Sequence, residues 1–252
     1  MSKPRVYYMA TQPDGTVPRS TEAGTPVSLA DHVGQVIDHP TPCKTRWYDE
    51  THFSYFRAYH RLGEVLNDLW QWPARLFVVE PLGETGNWAQ RDYPYRLLAH
   101  QIRVIEETEA WPALGPNGRA VEQLLTAELP DLILGWLRDW DAGPDAMERR
   151  FEIWRHLGAD DCTSGMNAEN SAFSISRSAR RYAAASTARR IGIDMAYTAA
   201  RESGASEKAT AYAARRADNL IHAVLLKDRM REYSLKALRG TDLDADTARL
   251  LV

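Results

Sequence analysis

The feature that most constrains this chain is an abrupt change of character near Trp111. Before it, β-branched and aromatic runs alternate with proline- and glycine-rich connections. After it, almost every signal has the helical period. "RVYYMAT" (5–11) reads as a first strand, and "DGTVPRSTEAGTP" (14–26) carries turn chemistry throughout and reads as loop. "YFRAYHRLGEVLNDLW" (55–70) places Phe56, Tyr59, Leu62, Leu66 and Leu69 at helical spacing, which predicts a helix. "RLFVVE" (75–80) reads as a buried strand, stopped by Pro81 and opened into a loop by Gly83 and Gly86. A last strand is expected over 100–111, where Ile102, Val104 and Glu106 alternate against Arg103 and Ile105. Strands interleaved with one helix imply a small α+β domain over 1–112.

Residues 113–252 read as all-helical. Helices are predicted over 116–129, 130–140, 144–158, 171–203 and 206–239, with "GMNAEN" (165–170) as a capping lead-in. Pro130 suits a first helical turn and so separates the first two. The last two are long, and Gly204 and Ser206 between them predict a tight antiparallel hairpin. Ala179, Ala183, Ala209, Ala213 and Ala217 would let its helices approach closely, with Leu220, Val224, Met230 and Tyr233 continuing the stripe. Such a hairpin also offers a surface for oligomerisation.

Charge separates the two regions as well. Residues 168–240 hold 14 Lys+Arg against 7 Asp+Glu, an excess of +7, so the remainder carries −10 of the net −3. Arg180-Arg181, Arg189-Arg190 and Arg215-Arg216 offer cations to an anionic partner, against the plainer reading of a solvated helix face. Basic helices without interleaved base-stacking aromatics argue against nucleic acid. Lysine occurs only at 3, 44, 208, 227 and 236, an arginine-heavy usage that points to a GC-rich genome such as that of an actinobacterium or its phage.

Composition excludes several function classes. Hydrophobic residues are 44% and charged residues 26%, ordinary for a globular chain. No apolar run approaches the roughly 20 residues of a membrane span, and "MSKPRVYYMATQPDG" lacks a signal-peptide core, so a cytoplasmic protein without membrane contact is expected. Cys43 and Cys162 form no metal-spaced or disulfide framework. Phosphate-cradling glycine loops and nucleophile elbows are absent. His32, His39, His52 and His60 gather beside "DETH" (49–52), but none of them forms the i, i+4 pair of a helical zinc site.

What remains is the set of strand edges. Arg75, Val78, Val79, Glu80, Pro81, Gly83, Tyr95, Arg96, Arg103, Val104, Glu107 and Trp111 occupy the positions of a motif found in the small rifampin ADP-ribosyltransferases. "VYYMAT" is similar to that family's opening Tyr-Tyr-His-Gly-Thr strand. The resemblance covers roughly the first 112 residues and implies an ADP-ribosyltransferase-like domain with NAD as co-substrate. It implies further that Met9, Ala10 and Thr11 grip the cofactor, that Tyr55 (or Tyr59 or Tyr48) stacks on nicotinamide, and that Glu84 (or Asp92) is the catalytic acid. The chain departs from the family where it matters: Met9 stands in place of the ribose-holding histidine and Ala10 in place of glycine. A thioether cannot donate a hydrogen bond, although the Ala10 backbone still can. For Tyr55 the plain alternative is a core aromatic, and for Glu84 a solvated turn residue.

A rival acid pair is Glu107-x-Glu109, two glutamates expected on one strand face, as in arginine-modifying ADP-ribosyltransferases. That pattern also needs Arg5 and a Ser20-Thr21 strand, and Ser20-Thr21 falls in a loop. Two functions are therefore expected to compete. One is transfer of ADP-ribose from NAD to an unknown acceptor. The other is a catalytically degenerate relative acting as a binding, interaction or assembly protein.

Overall fold

The computed structural model describes residues 6–18, 26–42, 54–69, 71–86, 96–115, 117–152 and 179–226. By its contacts the chain divides into two compact units, Met1–Ala113 and Leu114–Val252.

The first unit holds strands β1 (Tyr7–Thr11), β2 (Val36–Asp38), β3 (Phe56–Tyr59), β4 (Arg75–Gly86) and β5 (Arg96–Thr108). Their order is β2-β5-β3-β1-β4, every pairing is antiparallel, and β4 also pairs with β5, so β1, β3, β5 and β4 close on themselves. The long strands β4 and β5 make this closure, because β5 pairs β3 through Phe56↔Ala99 and β4 through Val79↔Val104. Alternate residues turn inward as a pleat requires. Met9, Phe56, Ala58, Phe77, Val79, Ala99, Ile102 and Val104 form one buried cluster with Ile37 and Leu29.

Two sequence expectations change here. The stretch 75–86 is not a strand followed by a loop: β4 runs through Pro81 and Gly83 to Gly86, still paired to β5 at Thr85↔Ala99 and Gly86↔Leu98. Its register shifts between Leu82 and Thr85, and Gly83 sits there at φ +68. The glycine therefore serves a bulge inside the ladder, where a side chain at positive φ would be strained. The predicted helix over 55–70 is also absent. Phe56–Tyr59 is strand β3, and Leu62–Asp68 is a 3-10 helix. The apolar spacing fits both periods, and a three-residue turn stacks Leu62, Val65 and Asp68 on one ridge. Val65 and Leu66 are buried there.

The second unit is helical in its described residues: α1 (Gly118–Gln123), a π segment (Leu124–Glu128), α2 (Leu129–Ala142), α3 (residues 144–152), α4 (Ala179–Glu202) and α5 (Glu207–Leu226). Pro130 does not separate two helices; the chain stays helical across it. A proline ring presses on the carbonyl four residues earlier, and the π segment lies where that carbonyl sits. The expected tail of α3 beyond 152, the lead-in 165–170, Met230 and Tyr233 lie outside the described residues.

The hairpin turn follows its sequence closely. Ala205 N–H donates to Ala200 O at 3.0 Å and Gly204 N–H to Arg201 O at 3.1 Å, with Gly204 at φ +75, a Schellman closure. Ser206 Oγ then accepts from Ala209 N–H at 3.2 Å and caps α5. Ala209, Ala213, Ala217, Leu220 and Val224 are buried as the stripe predicts. Gly192 marks a further point of close approach: a Cβ there would lie 1.8 Å from Ile221 Cδ1.

One arginine of each of two pairs turns inward, while Arg190 is exposed and the side chains of Arg180 and Arg181 lie outside the described ones. Arg189 forks onto Asp218 at 2.6 and 3.1 Å, and Arg216 is buried with its guanidinium 4.6 Å from the Trp136 ring centroid. No helix among the described residues is long and apolar enough to cross a membrane.

Candidate functional site

Strands β1 and β3 meet at a single register pair, Tyr8↔Tyr59. Beyond it the ladder stops, while β1 continues along β4 from Met9↔Phe77 to Thr11↔Arg75. Beside this pair lies a small cleft, partly open to solvent. Met9 and Ala10 line one side, and Tyr55, Arg57 and Tyr59 the other. Val17 and Pro18 complete it from the loop after β1, and Val65 and Asp68 from the 3-10 ridge. Apolar walls with a few fixed polar groups are the usual make-up of a small-molecule site, although this cleft is small for one.

The polar groups are locked together. Arg57 Nη1 donates to Asp68 Oδ1 at 2.6 Å, and the Tyr59 hydroxyl donates to Asp68 Oδ2 at 2.7 Å. Burial, reinforced by the Asp68 charge, holds the Tyr59 phenol well above its ordinary pKa, so it stays a donor. Tyr55 is buried, with its ring stacked on His100 at 5.2 Å between centroids. Behind His100, His39 takes a backbone bond from Thr41 N–H on Nδ1 at 3.2 Å and lies edge-on to Phe56. Burial, then the neighbouring His100, pull the His39 pKa down to about 4.

Of the residues expected at a cofactor site, Met9, Ala10 and Tyr55 come together at this cleft. Thr11 follows on β1, fully buried, and its Oγ1 donates to Gln12 O at 3.1 Å. Glu84 does not line the cleft; it is exposed on β4 at the bulge. Tyr48, Asp92, Tyr95, Arg5 and Ser20-Thr21 lie outside the described residues.

Several motif residues pair with one another across β4 and β5. Arg75 forks onto Glu107 at 2.7 and 2.6 Å, and Arg103 binds Glu80 directly opposite. The hydrogen bond from Arg75 pulls the Glu107 carboxyl below its ordinary range. Glu109 lies past the end of β5, so Glu107 and Glu109 do not share a strand face.

Arg57 and Asp68 were missed because 55–70 reads as helix. Eleven residues of α-helix would hold them about 16 Å apart. A strand followed by a 3-10 turn folds them back into an ion pair instead. Among the described residues no group of three or more His, Cys, Asp and Glu side chains is placed to hold a metal ion. Comparison of the chain with protein-family models, with curated proteins and with solved structures finds no match.

Proposed function

We propose that the N-terminal unit is an ADP-ribosyltransferase-like module that binds NAD in the β1–β3 cleft without cleaving it. The observation that carries this reading is the meeting of Met9 and Ala10 of β1 with Tyr55, which precedes β3, at one opening. The resemblance assigns those positions to the cofactor, and nothing in the local chain order requires them to meet. Two facts favour binding over transfer. Met9 stands where the family has a hydrogen-bonding histidine, and Glu84 is exposed at a bulge rather than lining the cleft. Transfer chemistry depends on groups aimed at the charge that develops in the transition state, and an acid outside the cleft supplies none there.

Calorimetric titration with NAD tests the reading. Wild type is expected to bind weakly and Met9→His more tightly, by roughly 5- to 150-fold if one ribose hydrogen bond worth about 1–3 kcal/mol is restored. Tyr55→Ala is expected to weaken binding, because it removes the aromatic wall. Incubation with NAD should release no nicotinamide. Release that Glu84→Gln abolishes would establish the transferase reading instead, and the acceptor would then have to be sought.

A further inference from the structure

The geometry points to the 3-10 segment Leu62–Asp68 as a latch on the cleft, closed in its 3-10 form and opened by conversion to an α-helix. The inference rests on the reading of that cleft as the ligand site and names what controls access to it. Seven residues is long for a 3-10 run, because its hydrogen bonds are poorly aligned and such runs rarely exceed about four residues. The sequence of this one suits the other period better. At the α-helical turn of about 100° per residue, Leu62, Val65, Leu66 and Leu69 would share one apolar stripe. At the 3-10 spacing they divide between two ridges, Leu62 with Val65 and Leu66 with Leu69. Val65 and Leu66 are buried in this arrangement, while Leu62 and Leu69 are only half-buried.

Asp68 is what holds the 3-10 form. Its Oδ1 accepts from Arg57 Nη1 at 2.6 Å and its Oδ2 from the Tyr59 hydroxyl at 2.7 Å, which pins the end of the segment to β3. Rewinding six steps from about 120° to about 100° per residue would turn Asp68 by about 120° relative to Leu62 and shorten the segment by about 3 Å. Neither bond survives that turn, so the clasp belongs to the 3-10 form alone. The apolar side chains keep a common buried side in the α form. Conversion therefore withdraws Asp68 from the cleft wall, where it stands with Met9, Ala10 and Val65, without unpacking the apolar contacts beneath. The small cleft is thus the closed state of a two-state element, and a ligand that fits only the open state would draw the segment towards the α form.

The test uses the full-length protein without ligand, so that failure of the latch and failure of NAD binding are told apart. Nuclear Overhauser contacts separate the two helices. An α-helix brings the α proton of Leu62 close to the amide of Leu66, and that of Val65 close to the amide of Leu69. A 3-10 helix instead brings each α proton close to the amide two residues on. Wild type is expected to show the 3-10 pattern. Asp68→Ala removes both bonds and should show the α pattern as the main one. Tyr59→Phe removes one bond to a charged partner and no carbon, so it should raise the ratio of α to 3-10 form at least about tenfold. That second variant decides the matter if Asp68→Ala does not fold. A 3-10 pattern left unchanged by Asp68→Ala, or by Tyr59→Phe where the alanine variant is unfolded, would overturn the latch.

Discussion

At the scale of single residues, positions that look passive in the sequence carry the tightest constraints. Gly192 lets α4 and α5 close to a distance that any Cβ would block, with Ile221 Cδ1 1.8 Å from where that atom would stand and Leu125 Cδ2 at 3.7 Å. Gly192→Val should therefore destabilise the protein by about 1–3 kcal/mol through overpacking, despite removing a poor helix former. Urea denaturation measures this directly. A cycle with Ile221→Ala, which clears the clash, should recover at least about 1 kcal/mol relative to additivity; strict additivity would mean that the helices separate instead of pressing on Ile221. Arg57 and Asp68 make the same point in the cleft. Each looks like a surface charge on a predicted helix, and only the strand-to-turn geometry makes them partners. A pair separated by eleven residues has no signature in local periodicity when the period itself is ambiguous.

At the scale of elements, legibility followed the strength of local chemistry. β1, the start of β4 and most of β5 were readable, because β-branched and aromatic runs leave few other options, and β5 alternates over Ile102–Ile105 as well. The α4–α5 turn was readable for the same kind of reason, since Gly204 and Ser206 each perform one stereochemical task. The errors fell where a residue has two uses. Gly83 signals a loop but here sits at a bulge, Pro81 signals a strand end but stays in the ladder opposite Ile102, and Pro130 signals a helix start but is absorbed by a π segment. β2 was not anticipated, as three residues with only Ile37 buried carry almost no pattern. Its neighbour His39 gives the element a measurable pH response. The folded pKa is depressed to about 4 from 6.5, so the unfolded chain takes up the proton first. This contribution is fully present above about pH 6.5 and is lost as pH falls towards 4, up to about 3 kcal/mol by linkage. Denaturant midpoints at pH 7, 5 and 4 should drop steeply for wild type and more gently for His39→Gln. Parallel slopes would show that another group controls the acid limb.

At the scale of the whole molecule, the chain is α+β in the coarse sense its sequence implies: a five-stranded antiparallel sheet in the N-terminal half and helices after it. The resemblance in the first 112 residues turns out to involve two kinds of residue. Arg75, Glu80, Arg103 and Glu107 pair across β4 and β5. Met9, Ala10 and Tyr55 line an opening and carry the functional proposal. The positive excess of the C-terminal region likewise divides, since Arg189 and Arg216 are used internally against Asp218, Trp136 and Tyr212. The proposed ligand site is the small cleft beside β1 and β3. Backbone amide shifts of the labelled full-length chain, followed during NAD titration, test it most directly. Saturable shifts are expected at residues 9–11, 55–59 and 65–68. Saturable shifts confined to other residues, or no shifts at millimolar NAD, would contradict it.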